Sequence, residues 1–163
     1  MAEINENKPS LYILVGIPCS GKSYYTEKIF KPKNIKIVST DEIRIEVSGT
    51  RKFDIDRNNE IFETAFSRIK EELISGRDVV FDATNTNKKH RRTVIKLEKS
   101  CNSRIVAVVM KTPLAVCLKR NRERPEESKL PEGKLYYFNK ANLDLDYSEG
   151  FDEIIQVKYT EVI

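Results

Sequence analysis

The stretch Gly16-Ile17-Pro18-Cys19-Ser20-Gly21-Lys22-Ser23 fits GxxxxGK[ST] at every fixed position, a pattern whose chemistry is the cradling of a polyphosphate. Glycines let the backbone come close to phosphate oxygens, and successive N–H groups at a helix start donate into them. Lys22 then supplies a mobile positive charge to the β- and γ-phosphates, and the Ser23 hydroxyl is suited to ligate Mg²⁺. The run LYILV before the loop reads as a strand and the residues after it as a helix, which is the context the pattern requires. Cys19 lies inside the loop, where the helix start and Lys22 would lower its thiol pKa. The plainer reading is a small residue that fits.

Two acidic positions follow other apolar runs: Asp41 in STDEIR after KIV, and Asp82 in DATN after VVF. In an open α/β sheet the ligand lies beyond the carboxyl ends of the strands, so both would rim the cleft that holds Lys22. Asp82 suits a Walker B carboxylate that holds Mg²⁺ directly or through water. Asp41 can accept or orient the proton of an attacking hydroxyl, with Arg44 three residues on to clamp an acceptor. Its competing role is capping, since Thr40 or Asp41 ahead of Ile43 suits an N-cap, and the two roles are compatible. Arg120 and Arg124, near the end of another helix, can swing over a triphosphate and offset charge on the transferred group. Arg122 between them reads as a solvent-facing cation at a helix C-terminus. The run Lys88-Lys89-His90-Arg91-Arg92 opens a helix, where cations are disfavoured. A compensating anion is expected there: an acidic side chain, solvent ions or a nucleic-acid backbone. A solvated face is the preferred reading, with His90 on the surface and not a catalyst.

These residues need a scaffold, and short apolar runs alternating with amphipathic stretches supply one, the signature of a βα series and a parallel sheet. Strands are expected at Leu11–Val15, Ile35–Val38, Val79–Phe81, Ile105–Met110 and Ile154–Val157. Ile61–Leu73 is the clearest helix, with Phe62, Phe66, Ile69 and Leu73 on one face. Asn87 can cap a helix to about Lys99, lined inside by Val94, Leu97 and Cys101. Pro113 suits the first turn of a helix to about Arg120 that buries Leu114, Cys117 and Leu118. The polar stretches 48–60 and 121–134, marked by Gly or Pro, are expected as surface loops or short mobile elements.

At 163 residues the chain fits one domain, 1–163, and its 39% hydrophobic content is enough for one core. Lys and Arg number 29 against 25 Asp and Glu, a net charge of +4 that is too small by itself to imply nucleic-acid binding. A single histidine excludes a zinc site of several imidazoles and a phosphorelay between histidines. Three cysteines without CxxC spacing argue against a secreted disulfide framework and for a reducing, cytoplasmic setting. No apolar run approaches the roughly 18 residues of a membrane span, and the start MAEINENKPS is polar where a signal peptide would be basic then apolar. Nothing in the chain specifies an oligomeric state.

The blocks GIPCSGKS, STDEIR, VVFDATNTNKKHRR, CLKRNRERP and EGFDEIIQV, in that order, resemble the P-loop kinases related to the kinase domain of phage polynucleotide kinase. These are the AAA-domain predicted kinases, and zeta toxins and adenylate kinases resemble the chain more distantly. The likeness spans nearly the whole chain. It implies an α/β P-loop NTPase three-layer sandwich with a five-stranded parallel sheet of order 2-3-1-4-5 and a small lid. It also implies ATP with Mg²⁺ and γ-phosphoryl transfer to a hydroxyl. Carried across by position, residues 16–23 hold the nucleotide, Ser23 and Asp82 the metal, and Asp41 is the general base. Arg44, Thr84 and Asn85 contact the acceptor, Arg120 and Arg124 are the lid arginines, the first just ahead of the lid segment 121–134 and the second within it, and residues 42–60 cover the acceptor side. One spacing departs from the phage enzyme's: Ala83 separates Asp82 from Thr84-Asn85. The acceptor expected is a nucleic-acid 5′-hydroxyl, with a nucleoside or other small metabolite as the near rival. A nucleotide switch is disfavoured by the lack of NKxD and LSGGQ-like strings, while a nonenzymatic ATP-binding module stays open.

Overall fold

The computed structural model describes residues 8–141 and 143–159; the first seven residues of the polar start read above lie outside them. Five strands form one parallel sheet in the order β2-β3-β1-β4-β5, as the resemblance implies. They are β1 (Ser10–Val15), β2 (Lys36–Ser39), β3 (Val79–Asp82), β4 (Arg104–Lys111) and β5 (Glu153–Lys158). Four of them contain the apolar run expected; β2 is displaced by one residue toward Ser39.

The central strand explains why these runs are apolar without alternation, since both faces of a parallel sheet are covered. Leu11, Ile13 and Val15 pack with Val38, Phe81, Ile69 and Val94 on one face. Leu14 joins Phe30, Val80 and Val108 on the other.

The helical stretch after β1 begins as α1 (Lys22–Tyr25), widens into a π segment (Thr26–Phe30) and tightens into a 3-10 turn (Lys31–Lys33). The remaining α-helices are α2 (Thr40–Ser48), α3 (Ile55–Ile74), α4 (Lys88–Ser100), α5 (Leu114–Arg122) and α6 (Glu132–Asn139). One cap is as expected, Asn87 Oδ1 accepting from the N–H groups of Lys89 (2.8 Å) and His90 (3.3 Å), while Pro113, expected in the first turn of α5, sits one position ahead of it.

Two boundaries differ from expectation. Helix α3 starts at Ile55, six residues before Ile61, because Asp54 caps it, its Oδ1 accepting from Asp56 N at 2.9 Å. Polarity therefore hid an exposed first turn. Within α3 the buried stripe is Ile61, Ala65, Ile69 and Leu73, while Phe62 and Phe66 sit at its margin with ring centroids 6.4 and 6.0 Å from Phe81. The stretch 121–134 is also more ordered than a loop. It holds a 3-10 turn (Glu126–Ser128) and the start of α6, a helix that buries Leu135 alone and so shows no apolar period. Its base is pinned by the buried Asn121, whose Nδ2 donates to Leu130 O (2.8 Å) and whose Oδ1 accepts from Leu130 N (3.0 Å). No helix among the described residues is long and apolar enough to cross a membrane.

Candidate active site

The loop from β1 to α1 has a backbone that few side chains tolerate. Cys19 (φ 67°) and Gly21 (φ 99°) are both left-handed. A Cβ on Gly16 would lie 2.5 Å from Ser20 Oγ and 3.0 Å from Met110 Cβ, so the close approach there requires glycine. Gly16 N donates to Thr84 O at 2.9 Å, clipping the loop to the segment after β3. Ser20 is buried, and its carbonyl accepts from Thr112 Oγ1 at 2.7 Å. Its own Oγ has no hydrogen-bond partner among the described residues, an orphan that an anionic oxygen would satisfy. Lys22 Nζ donates to Gly16 O (2.9 Å) and Ile17 O (3.0 Å), curling over the loop. Ile17 and Cys19 pack on Cys117, Leu118 and Leu135, so α5 and α6 support the loop from below. Pro18 is half-buried, and Ser23 stands exposed in α1.

Sheet order brings the two aspartates to this loop. Strand β3 lies between β1 and β2, and Ser39 is in register with Asp82, so β2 and β3 end side by side. Asp82 closes β3, and Asp41 lies two residues beyond the end of β2 in the first turn of α2. Burial pushes the Lys22 ammonium below its usual range, while the charges of Asp82 and then Asp41 oppose that shift. Burial likewise pushes the Asp82 carboxyl up; Lys22 pulls it back, and Asp41 and Glu42 add to the rise. Asp41 is different: its side chain is 69% exposed, and Oδ1 accepts from Arg44 Nη1 at 2.7 Å. Arg44 is itself mostly buried, with Nε unpartnered among the described residues. Ser39, rather than Thr40 or Asp41, caps α2, its Oγ accepting from Glu42 N at 3.3 Å. Asp41 is thus left with its carboxylate facing outward.

Arg120 reaches the loop from α5, its Nη1 donating to Cys19 O at 3.2 Å. Arg124 is the strongest charge opposing the upward shift of the Cys19 thiol, ahead of Lys22 and Arg120, and burial outweighs all three. The expected lowering of the Cys19 pKa is therefore overturned: the thiol lies on an apolar cluster, and burial dominates the nearby cations. Cys117 beneath it is pushed up to about 11 for the same reason. Arg122 is exposed as expected and pairs with Glu132 at 2.5 Å.

Asn85 is a second correction. Its side chain turns inward, is buried, and donates from Nδ2 to Leu14 O at 2.7 Å, so it ties β3 to β1 and offers no amide to an acceptor. Its left-handed φ of 50° is one that asparagine adopts more readily than most residues. Thr84 remains half-buried at the rim. Arg91 is a third correction, because it leaves the solvated face expected for residues 88–92. It is buried, donates from Nη1 to Asn85 O (2.9 Å) and Thr86 O (3.0 Å), and meets Glu149 through Nε (2.9 Å) and Nη2 (3.3 Å). The expected anion is thus Glu149, held in a capping box with Asp146. No local signal in the sequence couples residues 58 positions apart. His90 is exposed, its ring 5.5 Å from that of Phe62.

Among the described residues no three His, Cys, Asp or Glu side chains converge on a metal site. A hydroxyl and one carboxylate, Ser23 and Asp82, instead suit Mg²⁺, which is commonly bound through one or two carboxylates plus substrate phosphates.

A parallel sheet of this order with a phosphate loop after its central strand defines the P-loop kinase fold. The chain belongs to the AAA-domain family of these kinases, whose model matches residues 11–141. It is 30% identical, over 90% of its length, to an L-seryl-tRNA(Sec) kinase of Methanococcus maripaludis. It is 25% identical, over 93% of its length, to a putative bifunctional polynucleotide phosphatase/kinase of Acanthamoeba polyphaga mimivirus. The chain spans 65% and 34% of the lengths of these relatives. In structure it is similar to a chain of the Pnkp1/Rnl/Hen1 RNA repair complex, with a TM-score of 0.74 and 22% identity, covering 85% of this chain and 45% of that one.

Proposed function

We propose that the chain is an ATP-dependent kinase that transfers the γ-phosphoryl group to a hydroxyl carried by a nucleic acid, a polynucleotide 5′-hydroxyl first. The observation that carries this reading is the placement of two carboxylates in unlike surroundings at the neighbouring ends of β2 and β3 beside the Lys22 loop, Asp82 closing β3 and Asp41 exposed beside Arg44. In this reading residues 16–23 hold the polyphosphate, with Ser23 and Asp82 as the Mg²⁺ ligands. The ion, when bound, neutralises phosphate charge. Asp41 takes the proton of the acceptor hydroxyl as its oxygen bonds to the γ-phosphorus and the bond to ADP breaks. Arg44 and Thr84 orient the acceptor. Arg120 and Arg124 stabilise the transferred group, with 121–134 as a lid and 42–60 on the acceptor side.

Both relatives are named as kinases of a nucleic acid, which supports this class of acceptor over a free metabolite. A second reading, a hydroxyl on an aminoacyl-tRNA, is favoured by the archaeal relative's higher identity. Incubation with γ-labelled ATP and separate 5′-hydroxyl RNA, 5′-hydroxyl DNA, seryl-tRNA and nucleosides tests both. Label is expected in the oligonucleotides. Label in nucleosides alone, or none above a Lys22→Ala control, refutes the proposal.

A further inference from the structure

A cleft of about 760 Å³ opens beyond the far end of α2, lined by Ser48, Thr50, Lys52, Phe53, Asp54, Ile55 and Arg57. It has no part in the phosphate chemistry. Phe53 is 55% exposed and Ile55 76%, side chains that a core-forming chain would ordinarily hide. Lys134 of α6 sits with Nζ 5.5 Å from the Phe53 ring centroid, a cation–π contact that joins the segment before α3 to the helix after the Arg124 stretch. The charge on this face is unbalanced. Asp54 is taken up by capping α3 and by Arg57 at 4.0 Å, and Glu132 by Arg122. Arg51, Lys52 and Lys134 form no ion pair among the described residues, and neither does Asp56 in the first turn of α3.

An exposed ring flanked by unneutralised cations is the chemistry of a stacking platform for single-stranded nucleic acid. Its position matches. Asp41 and Ser48 lie in the first and last turns of α2, about 10 Å apart along the axis at 1.5 Å per residue. A strand stacked at the duplex rise of about 3.4 Å per nucleotide covers that distance in about three nucleotides and an extended one in fewer, so the cleft begins some two to four nucleotides from a hydroxyl held at Asp41.

We propose that this cleft seats the single strand trailing the acceptor hydroxyl, with a base from the second to fourth nucleotide stacked on Phe53 and adjacent phosphates met by Lys52 and Lys134. The inference rests on the nucleic-acid acceptor reading and adds where, and through which groups, the strand is gripped.

The test is equilibrium binding, which needs no turnover. A 5′-hydroxyl RNA of about twelve nucleotides, labelled with fluorescein at its 3′ end, is titrated by anisotropy with wild type, Phe53→Ala and Phe53→Trp. A matching strand made abasic at nucleotides two to four is titrated in parallel. Phe53→Ala is expected to weaken binding about tenfold and Phe53→Trp to restore it. The abasic strand should weaken wild type about tenfold and cost Phe53→Ala nothing further, because both changes remove one contact. Losses that multiply, wild-type affinity in Phe53→Ala, or no RNA binding by wild type overturns the proposal. So does a wild-type dimer in sedimentation that Phe53→Ala dissociates, which would make a second copy the occupant. The two readings fail separately. RNA bound with the expected pattern but never phosphorylated leaves the platform and removes the polynucleotide kinase; equal KM for RNA and a nucleoside 3′-monophosphate does the reverse.

Discussion

Replacing Glu149 with alanine should damage the protein far from the phosphate loop's own residues. The Arg91 and Glu149 side chains are 3% and 5% exposed, and Glu149 takes two of the guanidinium's bonds while Asn85 O and Thr86 O take the others. Glu149→Ala strips the counter-charge from a buried cation that keeps only two carbonyls, a loss of about 3–5 kcal/mol. For a chain of this length each kcal/mol moves Tm by about 2–4 °C, so a fall of about 10 °C is expected in scanning calorimetry. Removing both charges together, as Arg91→Met with Glu149→Leu, should recover most of that fall, because two apolar groups carry no desolvation penalty. Recovery should be incomplete, since the Asn85 and Thr86 carbonyls then lack their donor, at about 1–3 kcal/mol. A Glu149→Ala shift below about 2 °C, or a double variant that falls by the sum of the single ones, refutes the argument that the pair is a buried, coupled unit.

Three further outcomes are expected. Asp41→Ala should lower kcat by about 10²- to 10⁴-fold while ATP affinity in calorimetric titration stays near wild type, as befits a general base outside the polyphosphate loop; a parallel loss of ATP affinity would count against that role. Asp82 is held above its ordinary pKa of 3.8 by burial, so the folded state keeps its proton longer than the unfolded chain and stability falls as pH rises through that window. Asp82→Asn should therefore raise Tm at neutral pH, with the gain shrinking as pH drops toward 3.8, and a pH-independent or negative change would contradict the sign. Burial with upward-shifted thiols should protect Cys19 and Cys117 from iodoacetamide at pH 7.5, leaving half-buried Cys101 as the residue that mass spectrometry finds alkylated first.

The sheet was readable because each strand is a short apolar run and the order follows from the family resemblance, and the loop at Gly16 was readable because its backbone demands particular residues at fixed spacing. Capping could be read only by residue type. Asn87 met its N–H groups, whereas at the end of β2 the two residues expected to cap, Thr40 and Asp41, were passed over and Ser39 ahead of them took the bond. Helix α6 and the first turn of α3 escaped because an exposed helix needs no apolar period. Asn85 and Arg91 escaped for a different reason: a polar residue after a strand reads as rim and one in a basic run at a helix start as solvated, and only distant partners, Leu14 O and Glu149, show that they face inward.

The widened turn at Thr26–Phe30 bears on how related chains can vary in length. A π turn accommodates one residue more than a regular turn, and here the wide turn ends at Phe30, whose ring is tilted against Tyr12 of the central strand with centroids 4.9 Å apart. Removing one residue within the wide turn would return it to a regular turn and leave that ring on its neighbour, whereas a deletion in the regular turn before it would rotate the ring by about 100° around the helix axis. The wide turn therefore lets the helix after the phosphate loop differ by one residue in length while its aromatic stays on the sheet.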